Sequence, residues 1–462
     1  MRGASRPTAA LAAGLALAAA GCGGGGDGDT APASVPSVPV AVSVVDGDTG
    51  DPVPGAQVIG FRGRTEIARG VADAGGRAEL PYNTRYVEAQ APGLTPGRTM
   101  VSTEQVEVEV YDPRRQSPEY GGGPERSRYV PAVRVGPPSG APLWSFESRT
   151  LIEFPPAVRD DLLVLGTNSG RVYALDGDTG GLRWARRQRG AIASTPSITE
   201  DRVLVSSMDG ALTAYGLAGT PLWQFETGGS PIESSPLVVD GLAYAGAWNG
   251  SLYAVDAATG EVRWRFAAGA DIKGSAALAA GLVVVADYAG HVFGLDPATG
   301  AQRWRYSGGQ RFYGGPAVSG DRIVIGDVGG AVIALDARSG RELWRHATGA
   351  FVYSTPAIAG DTAFVGSYSG RFDALDLATG AVRWSFDAGE RISGSAVVVD
   401  GVVYTAVLAR PGAPRQTYGL DTATGAVRFR ADEGRYSPAV GAGVTLYLVG
   451  TRIVDAYRDR TP

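Results

Sequence analysis

Tyr253-Ala254-Val255-Asp256-Ala257-Ala258-Thr259-Gly260 leads into Glu261-Val262-Arg263-Trp264, and this stretch returns along most of the chain. Its copies place Asp176, Thr179-Gly180 and Trp184 in one unit, and Asp296, Thr299-Gly300 and Trp304 in another. Asp336, Ser339-Gly340 and Trp344 follow, then Asp376, Thr379-Gly380 and Trp384, then Asp421, Thr424-Gly425 and Phe429. A degenerate copy at Leu217-Ala218-Gly219-Thr220 leads to Trp223. The first aromatic of the series is Trp144, after Pro142-Leu143. Steps of 40, 39, 41, 40, 40, 40 and 45 residues separate these eight aromatics. Each unit holds a small-Pro segment, an apolar segment, an x-Gly turn and the Asp-to-Trp segment. A period near 40 carrying four short strands marks one blade of a β-propeller.

The chemistry of the motif is local. Asp accepts backbone N–H groups in the turn, and Gly supplies the positive φ that closes it. The aromatic then stands on an outer strand, where it can bury ~150–250 Å² against the next blade. Trp144, Trp184, Trp223, Trp264, Trp304, Trp344, Trp384 and Phe429 are therefore docking residues that hold blades together. The chain ends in small-Pro, Val-rich and Tyr-rich segments with no final Trp strand. The strand around Trp144 is expected to complete that last blade and leave no open edge. The expected architecture is all-β, with an eight-bladed β-propeller over residues 141–462.

Composition agrees with many short strands. Among 462 residues, 68 are Gly and 29 are Pro, while only 19% are charged. The net charge of -5 gives no basic face for a nucleic acid. Cys22 is the only cysteine, so no intrachain disulfide is possible, and His291 and His346 stand far apart. No zinc-type cluster is expected.

Arg2 and Arg6 precede an apolar run that is too short to span a membrane and suits a signal-peptide core. Ala19-Ala20-Gly21-Cys22 follows. It resembles a bacterial lipobox, departing at Ala19, where leucine is commonest. The expectation is a signal peptide over residues 1–21, a lipidated Cys22 as membrane anchor, and a flexible Gly-rich tether to residue 38. The mature chain would be extracytoplasmic.

From residue 39 to 112 the pattern is that of a smaller β-domain. Val40 to Val45 is a β-run, Asp46-Gly47-Asp48-Thr49-Gly50 is a turn cluster, and residues 105–111 alternate Val with polar residues. Pro52-Val53-Pro54-Gly55-Ala56-Gln57-Val58, the Asp73-Ala74-Gly75-Gly76 turn and the Ala89-to-Gly93 ending resemble the carboxypeptidase regulatory-like domain. That resemblance implies a small transthyretin-like β-sandwich serving as a non-catalytic spacer, with glycan binding as the other role. Residues 113–140, rich in Pro, Gly and Arg, read as a linker without periodicity.

The Asp-x-x-Thr-Gly-to-Trp unit resembles the tryptophan-docking motif of pyrroloquinoline-quinone (PQQ) repeat proteins over about 320 residues. Two kinds of protein share that motif. Quinoprotein dehydrogenases bind PQQ and calcium, and BamB-like lipoproteins of outer-membrane assembly keep the propeller without the cofactor. The chain is similar to the second kind. It lacks the adjacent-cysteine pair, its period leaves no room for long roofing loops, and no carboxylate cluster supplies the six to eight oxygens calcium takes. The resemblance implies no enzyme, no PQQ, no calcium, and a monomer that binds an envelope protein, with a glycan ligand or PQQ-dependent dehydrogenation as the alternatives.

Any ligand or partner would meet the non-repeating positions. Aligning the small-Pro segments gives an axial ring of Glu153, Ala193, Glu233, Lys273, Tyr313, Tyr353, Ser393 and Arg435. The turn after the second strand adds Asn168, Met208, Trp248, Tyr288, Val328 and Tyr368. Trp248 is the one tryptophan outside the docking register, and Arg311 adjoins Tyr313 through Phe312. Aromatics with a few charges suit interfaces and ligand funnels. The candidate binding face is Trp248, Tyr288, Tyr313, Tyr353 and Tyr368 with Glu153, Glu233, Lys273, Arg311 and Arg435. The insertion at residues 408–417 is a second candidate contact.

Overall fold

A computed structural model describes residues 38–131, 133–434 and 436–458. The expected signal peptide, tether and lipidated Cys22 lie outside these residues, as does Arg435. No helix among the described residues is long and apolar enough to cross a membrane.

Strands β1 (Val40–Asp46), β2 (Gln57–Arg62), β3 (Thr65–Val71), β4 (Arg77–Leu80), β5 (Tyr86–Gln90), β6 (Gly97–Met100) and β7 (Gln105–Val110) form two sheets. Their orders are β4-β1-β7 and β3-β2-β5-β6. The period-2 pattern is why both bury one face: Val40, Val42 and Val44 point into a core that Val58, Val87 and Val108 share. The Asp73 carboxylate accepts from the N–H groups of Gly75 and Arg77, and closes the turn at Gly76. Gly76 has φ +72, and a Cβ there would lie 2.6 Å from Val44 O.

Between Trp144 and Arg458 the described residues form eight four-stranded antiparallel sheets. The first contains β9 (Ala157–Arg159), β10 (Leu162–Gly166), β11 (Arg171–Asp176) and β12 (Leu182–Arg187). The last joins Ala439–Ala442, Thr445–Val449 and Ile453–Arg458 to β8 (Trp144–Glu147), with Ile453 opposite Glu147 and Ala456 opposite Trp144. The sheet that closes on the N-terminal strand then docks on the first sheet, because Trp144 Nε1 donates to Gly177 O at 2.9 Å.

The same contact recurs from sheet to sheet. Trp264 Nε1 donates to Pro297 O at 2.9 Å, Trp304 to Ala337 O at 3.1 Å, and Trp344 to Leu377 O at 3.0 Å. Each acceptor follows the motif Asp of the next repeat. Asp256 Oδ1 accepts from the N–H groups of Ala258 and Thr259, which holds that turn in shape. The indole also lies on the next repeat's Gly: a Cβ at Gly300 would sit 2.6 Å from the Trp264 ring. The glycine is thus required twice, by its φ of +71 and by the ring above it.

Residues 113–140 do more than link. After a short 3₁₀ turn at Pro113–Arg115, the segment runs across the propeller axis and caps the inner strands one after another. Val158 N–H donates to Ser117 O, Ile198 to Pro118 O, and Leu278 to Pro124 O. Val318 then donates to Glu125 O, Ile358 to Ser127 O and Val398 to Arg128 O. Val238 N–H instead reaches the Glu119 carboxylate at 3.4 Å. The innermost strand of each blade has an edge facing the axis, and buried N–H groups need acceptors. This strap supplies them. Its arginines are tied in as deeply: Arg126 and Arg128 are 0% and 2% exposed. Arg126 donates to Pro236 O at 2.8 Å and Ala276 O at 3.1 Å, and Arg128 donates to Ser395 O at 3.1 Å.

Candidate functional site

The small-Pro segments converge on the axis, where hydroxyls stitch neighbours together. Thr195 N–H donates to Ser235 Oγ, Ser235 N–H to Ser275 Oγ, and Thr355 N–H to Ser395 Oγ, each at 2.9 Å. Each pair is one repeat apart, so a Ser at this position, followed by Pro at Ser235 and by Ala at Ser275 and Ser395, serves the ring, a role that periodicity alone did not assign.

Above this ring lies a cavity of about 380 Å³. Of the expected axial ring, Glu153, Glu233, Lys273, Tyr313, Tyr353 and Ser393 all line it. Ala193 is buried in the core instead. Tyr368 also lines the cavity, while Asn168, Met208, Trp248, Tyr288 and Val328 do not, nor does Arg311; Trp248 and Tyr288 instead pack behind the lining, against Lys273. Leu408, from the inserted segment, reaches its wall. Tyr120 and Tyr436 line it too and were not anticipated. Tyr120 comes from the strap, with its hydroxyl donating to Ser395 Oγ at 2.9 Å and the Arg128 guanidinium 4.7 Å from its ring centroid. The strap therefore closes one end of the axial cavity and makes it a cup.

One wall of the cup is electrostatically organised. Glu233 accepts from Tyr313 Oη at 2.8 Å and from Trp248 Nε1 at 3.1 Å. Burial pushes the Glu233 carboxyl above its usual range, only partly offset by the Tyr313 hydrogen bond and by Lys273. Burial and the Glu233 charge raise the Tyr313 phenol in turn. Lys273 Nζ lies 3.7 Å from the Trp248 ring centroid, 4.9 Å from Tyr288 and 5.6 Å from Tyr313. Three aromatic faces hold this ammonium in place.

A run of rings continues from this wall. Tyr288 and Tyr313 are 6.3 Å apart, Tyr313 and Tyr353 5.0 Å, and Tyr353 and Tyr368 4.9 Å. Phe351 extends the run outward, 5.9 Å from Tyr353, and is 49% exposed. Arg311 stands 5.1 Å from the Tyr288 ring and Arg391 5.7 Å from Tyr368. Phe351 and Arg391 stand where Arg311 does, two residues before an axial position, and only Arg311 of the three is among the expected binding-face residues.

The histidines stay apart. His291 Nδ1 lies 2.9 Å from Asp287 and His346 Nε2 lies 3.2 Å from Asp373.

Comparison with known protein families matches residues 130–287, 217–311 and 289–432 to the model of the outer membrane protein assembly factor BamB. These matches span more than half of the chain. The chain belongs to this family. No curated protein sequence matches it. BamB from Moraxella catarrhalis has a similar solved structure, with 16% identity, a TM-score of 0.59, and coverage of 69% of this chain and 99% of that one. The quinohemoprotein alcohol dehydrogenase from Comamonas testosteroni is similar at 15% identity and a TM-score of 0.62, covering 75% of this chain and 82% of that one. A computationally designed protein, Ika8, matches with a TM-score of 0.61 at 16% identity, covering 69% of this chain and all of that one. At such identities the likeness establishes the β-propeller fold and nothing about chemistry.

Proposed function

We propose that this chain is a non-catalytic binding protein of the cell envelope that presents the open rim of its propeller cup to a protein partner. The observation that carries the reading is the rim itself: Phe351, half exposed, continues the tyrosine wall outward, with Arg311 and Arg391 over neighbouring rings. Aromatic residues and arginine are the types enriched in interface centres. The family is described as that of an assembly factor, which supports a partner in the envelope. In this reading the signal peptide is removed and lipidated Cys22 anchors a monomer outside the cytoplasm. Each four-stranded sheet is one blade of a closed eight-bladed ring. The N-terminal two-sheet unit is a carboxypeptidase regulatory-like sandwich that spaces the ring from the membrane.

The dehydrogenase neighbours raise PQQ and calcium, and the residues do not fit them. Calcium takes ~6–8 oxygen ligands with several carboxylates. Both Glu233 oxygens already accept hydrogen bonds, and Lys273 stands beside them. Among the described residues no group of three or more His, Cys, Asp or Glu side chains is placed to hold a metal. Among the described residues, a quinone bearing several carboxylates would face two glutamates and one lysine in the cup.

The test is affinity capture from the producing organism's envelope. A partner retained by the wild-type chain and lost in Phe351→Ala combined with Arg391→Ala supports the reading. A partner retained equally by that variant places the interface elsewhere.

A further inference from the structure

We propose that the interior of the axial cup is a binding site for a single neutral saccharide unit. This inference goes beyond the rim as a protein-docking surface and does not rest on it.

Shape comes first. The cavity of about 380 Å³ falls within the ~300–1,000 Å³ usual for small-ligand sites. The strap closes it below through Tyr120, so a ligand enters and leaves by the rim and a chain cannot thread through. The backbone around the axis has no slack to narrow it further: a Cβ at Gly274 would lie 2.6 Å from Gly315 N, and one at Gly314 would lie 2.8 Å from Ser354 O.

Chemistry selects among ligands of that size. Tyr353 and Tyr368, tilted 49° to each other, line the cavity, and an aromatic face of either is the kind of surface on which the C–H face of a pyranose ring stacks. The same cavity is lined by Ser275, Thr355 and Ser393, the last with its hydroxyl 3.3 Å from that of Tyr368, and by the carboxyls of Glu153 and Glu233. The hydroxyls both donate to and accept from ligand hydroxyls, and a carboxylate accepts from them. Glu233 is pre-oriented by Tyr313 and Trp248, and Lys273 is fixed by the Trp248 face. Preorganised polar groups on an aromatic frame are what orient a polar ligand with little loss of freedom. Among the described lining residues the two glutamates disfavour a polyanion, and Lys273 beside Glu233 disfavours a metal ion. A neutral polyol with one apolar face meets every wall.

The experiment is titration calorimetry on the full chain in detergent, with a panel of neutral hexoses, N-acetylhexosamines and their disaccharides. Two variants accompany it: Tyr353→Ala, which removes the stacking face, and Ser393→Trp, which fills the cup. Thermal melts confirm that each is folded. The expected result is saturable one-to-one binding of a panel member, weakened at least tenfold by either variant. No saturable binding by any member to the folded wild type overturns the proposal. Binding that neither folded variant weakens overturns it as well, and assigns the saccharide to another part of the chain. Neither Phe351 nor Arg391 lines the cup, but both pack on the Tyr353 or Tyr368 rings, so the cup-filling Ser393→Trp, carried through the partner capture as well, is the variant that separates saccharide binding from partner capture.

Discussion

The Arg126 guanidinium lies 3.3 Å from the Glu119 carboxylate, and both side chains are buried on the propeller axis. Burial pushes the Glu119 carboxyl up and the Arg126 guanidinium down, while each partner's charge works against that shift. Removing one member leaves the other charge buried and alone. Arg126→Met is expected to destabilise the protein by about 3–5 kcal/mol. The double variant Arg126→Met with Glu119→Gln should lose less than the two single losses together. Chemical denaturation of the four proteins checks this. Additive losses would show that the pair does not act as a unit.

Gly300 separates two reasons for a glycine. Gly300→Ala must adopt a positive φ and also push against the Trp264 ring. Gly309→Ala meets only the first demand, since φ is +80 and nothing lies within 4 Å. The Gly309 variant is expected to lose ~1–2 kcal/mol, the cost of a left-handed alanine. The Gly300 variant should lose a further ~1–3 kcal/mol from overpacking. Denaturation midpoints compare them, and equal losses would mean that the ring yields freely.

Asp48 makes stability depend on pH. Its carboxyl is pushed up to about 7, first by burial and next by the neighbouring Asp46, with Arg115 opposing at 3.8 Å. Because the folded value exceeds the unfolded one, the folded state keeps a proton that the unfolded chain releases. Stability from this group is full below about pH 4, falls as pH rises to about 7, and is flat above. Asp48→Asn should therefore match wild type near pH 4 and exceed it at pH 8, by on the order of 2–4 kcal/mol. Melting curves at the two pH values decide, and a constant difference would remove Asp48 as the cause.

What the amino-acid pattern made readable follows from geometry. A position repeated every 40 residues returns to the same place on each sheet, so aligning small-Pro segments brought Glu153, Glu233, Lys273, Tyr313, Tyr353 and Ser393 to one cavity. The Trp series was legible because docking repeats identically, with Trp144 pairing the N-terminal strand to Ile453–Arg458. The strap was not legible. It contributes mostly backbone carbonyls, which any residue can supply, and its partners are spread across seven repeats. Glu119, Arg126 and Arg128 do act through their side chains, but charged residues in a Pro/Gly-rich stretch read as exposed. Tyr120 was hidden for the same reason.

Amide exchange can test whether the strap ties the blades locally. The N–H groups of Leu278 and Val318 donate to Pro124 and Glu125, beside Arg126; those of Ile358 and Val398 donate to Ser127 and Arg128. Arg126 is anchored on the carbonyls of Pro236 and Ala276, and Arg128 on those of Ser395 and Ala396. Each arginine thus fastens a different sector of the strap. Arg126→Ala is expected to speed exchange at Leu278 and Val318 by at least tenfold, a factor of about ten for each ~1.4 kcal/mol of local stability lost. Val398 should stay protected in that variant. Arg128→Ala should reverse the pattern, with Ile358 and Val398 exposed first and Leu278 retained. Both arginines have φ near +55, so Arg126→Gly and Arg128→Gly serve as controls that lose the side chain without backbone strain. Uniform acceleration at every inner strand in all four variants would mean that the ring opens as one cooperative unit, with the strap following rather than fastening it.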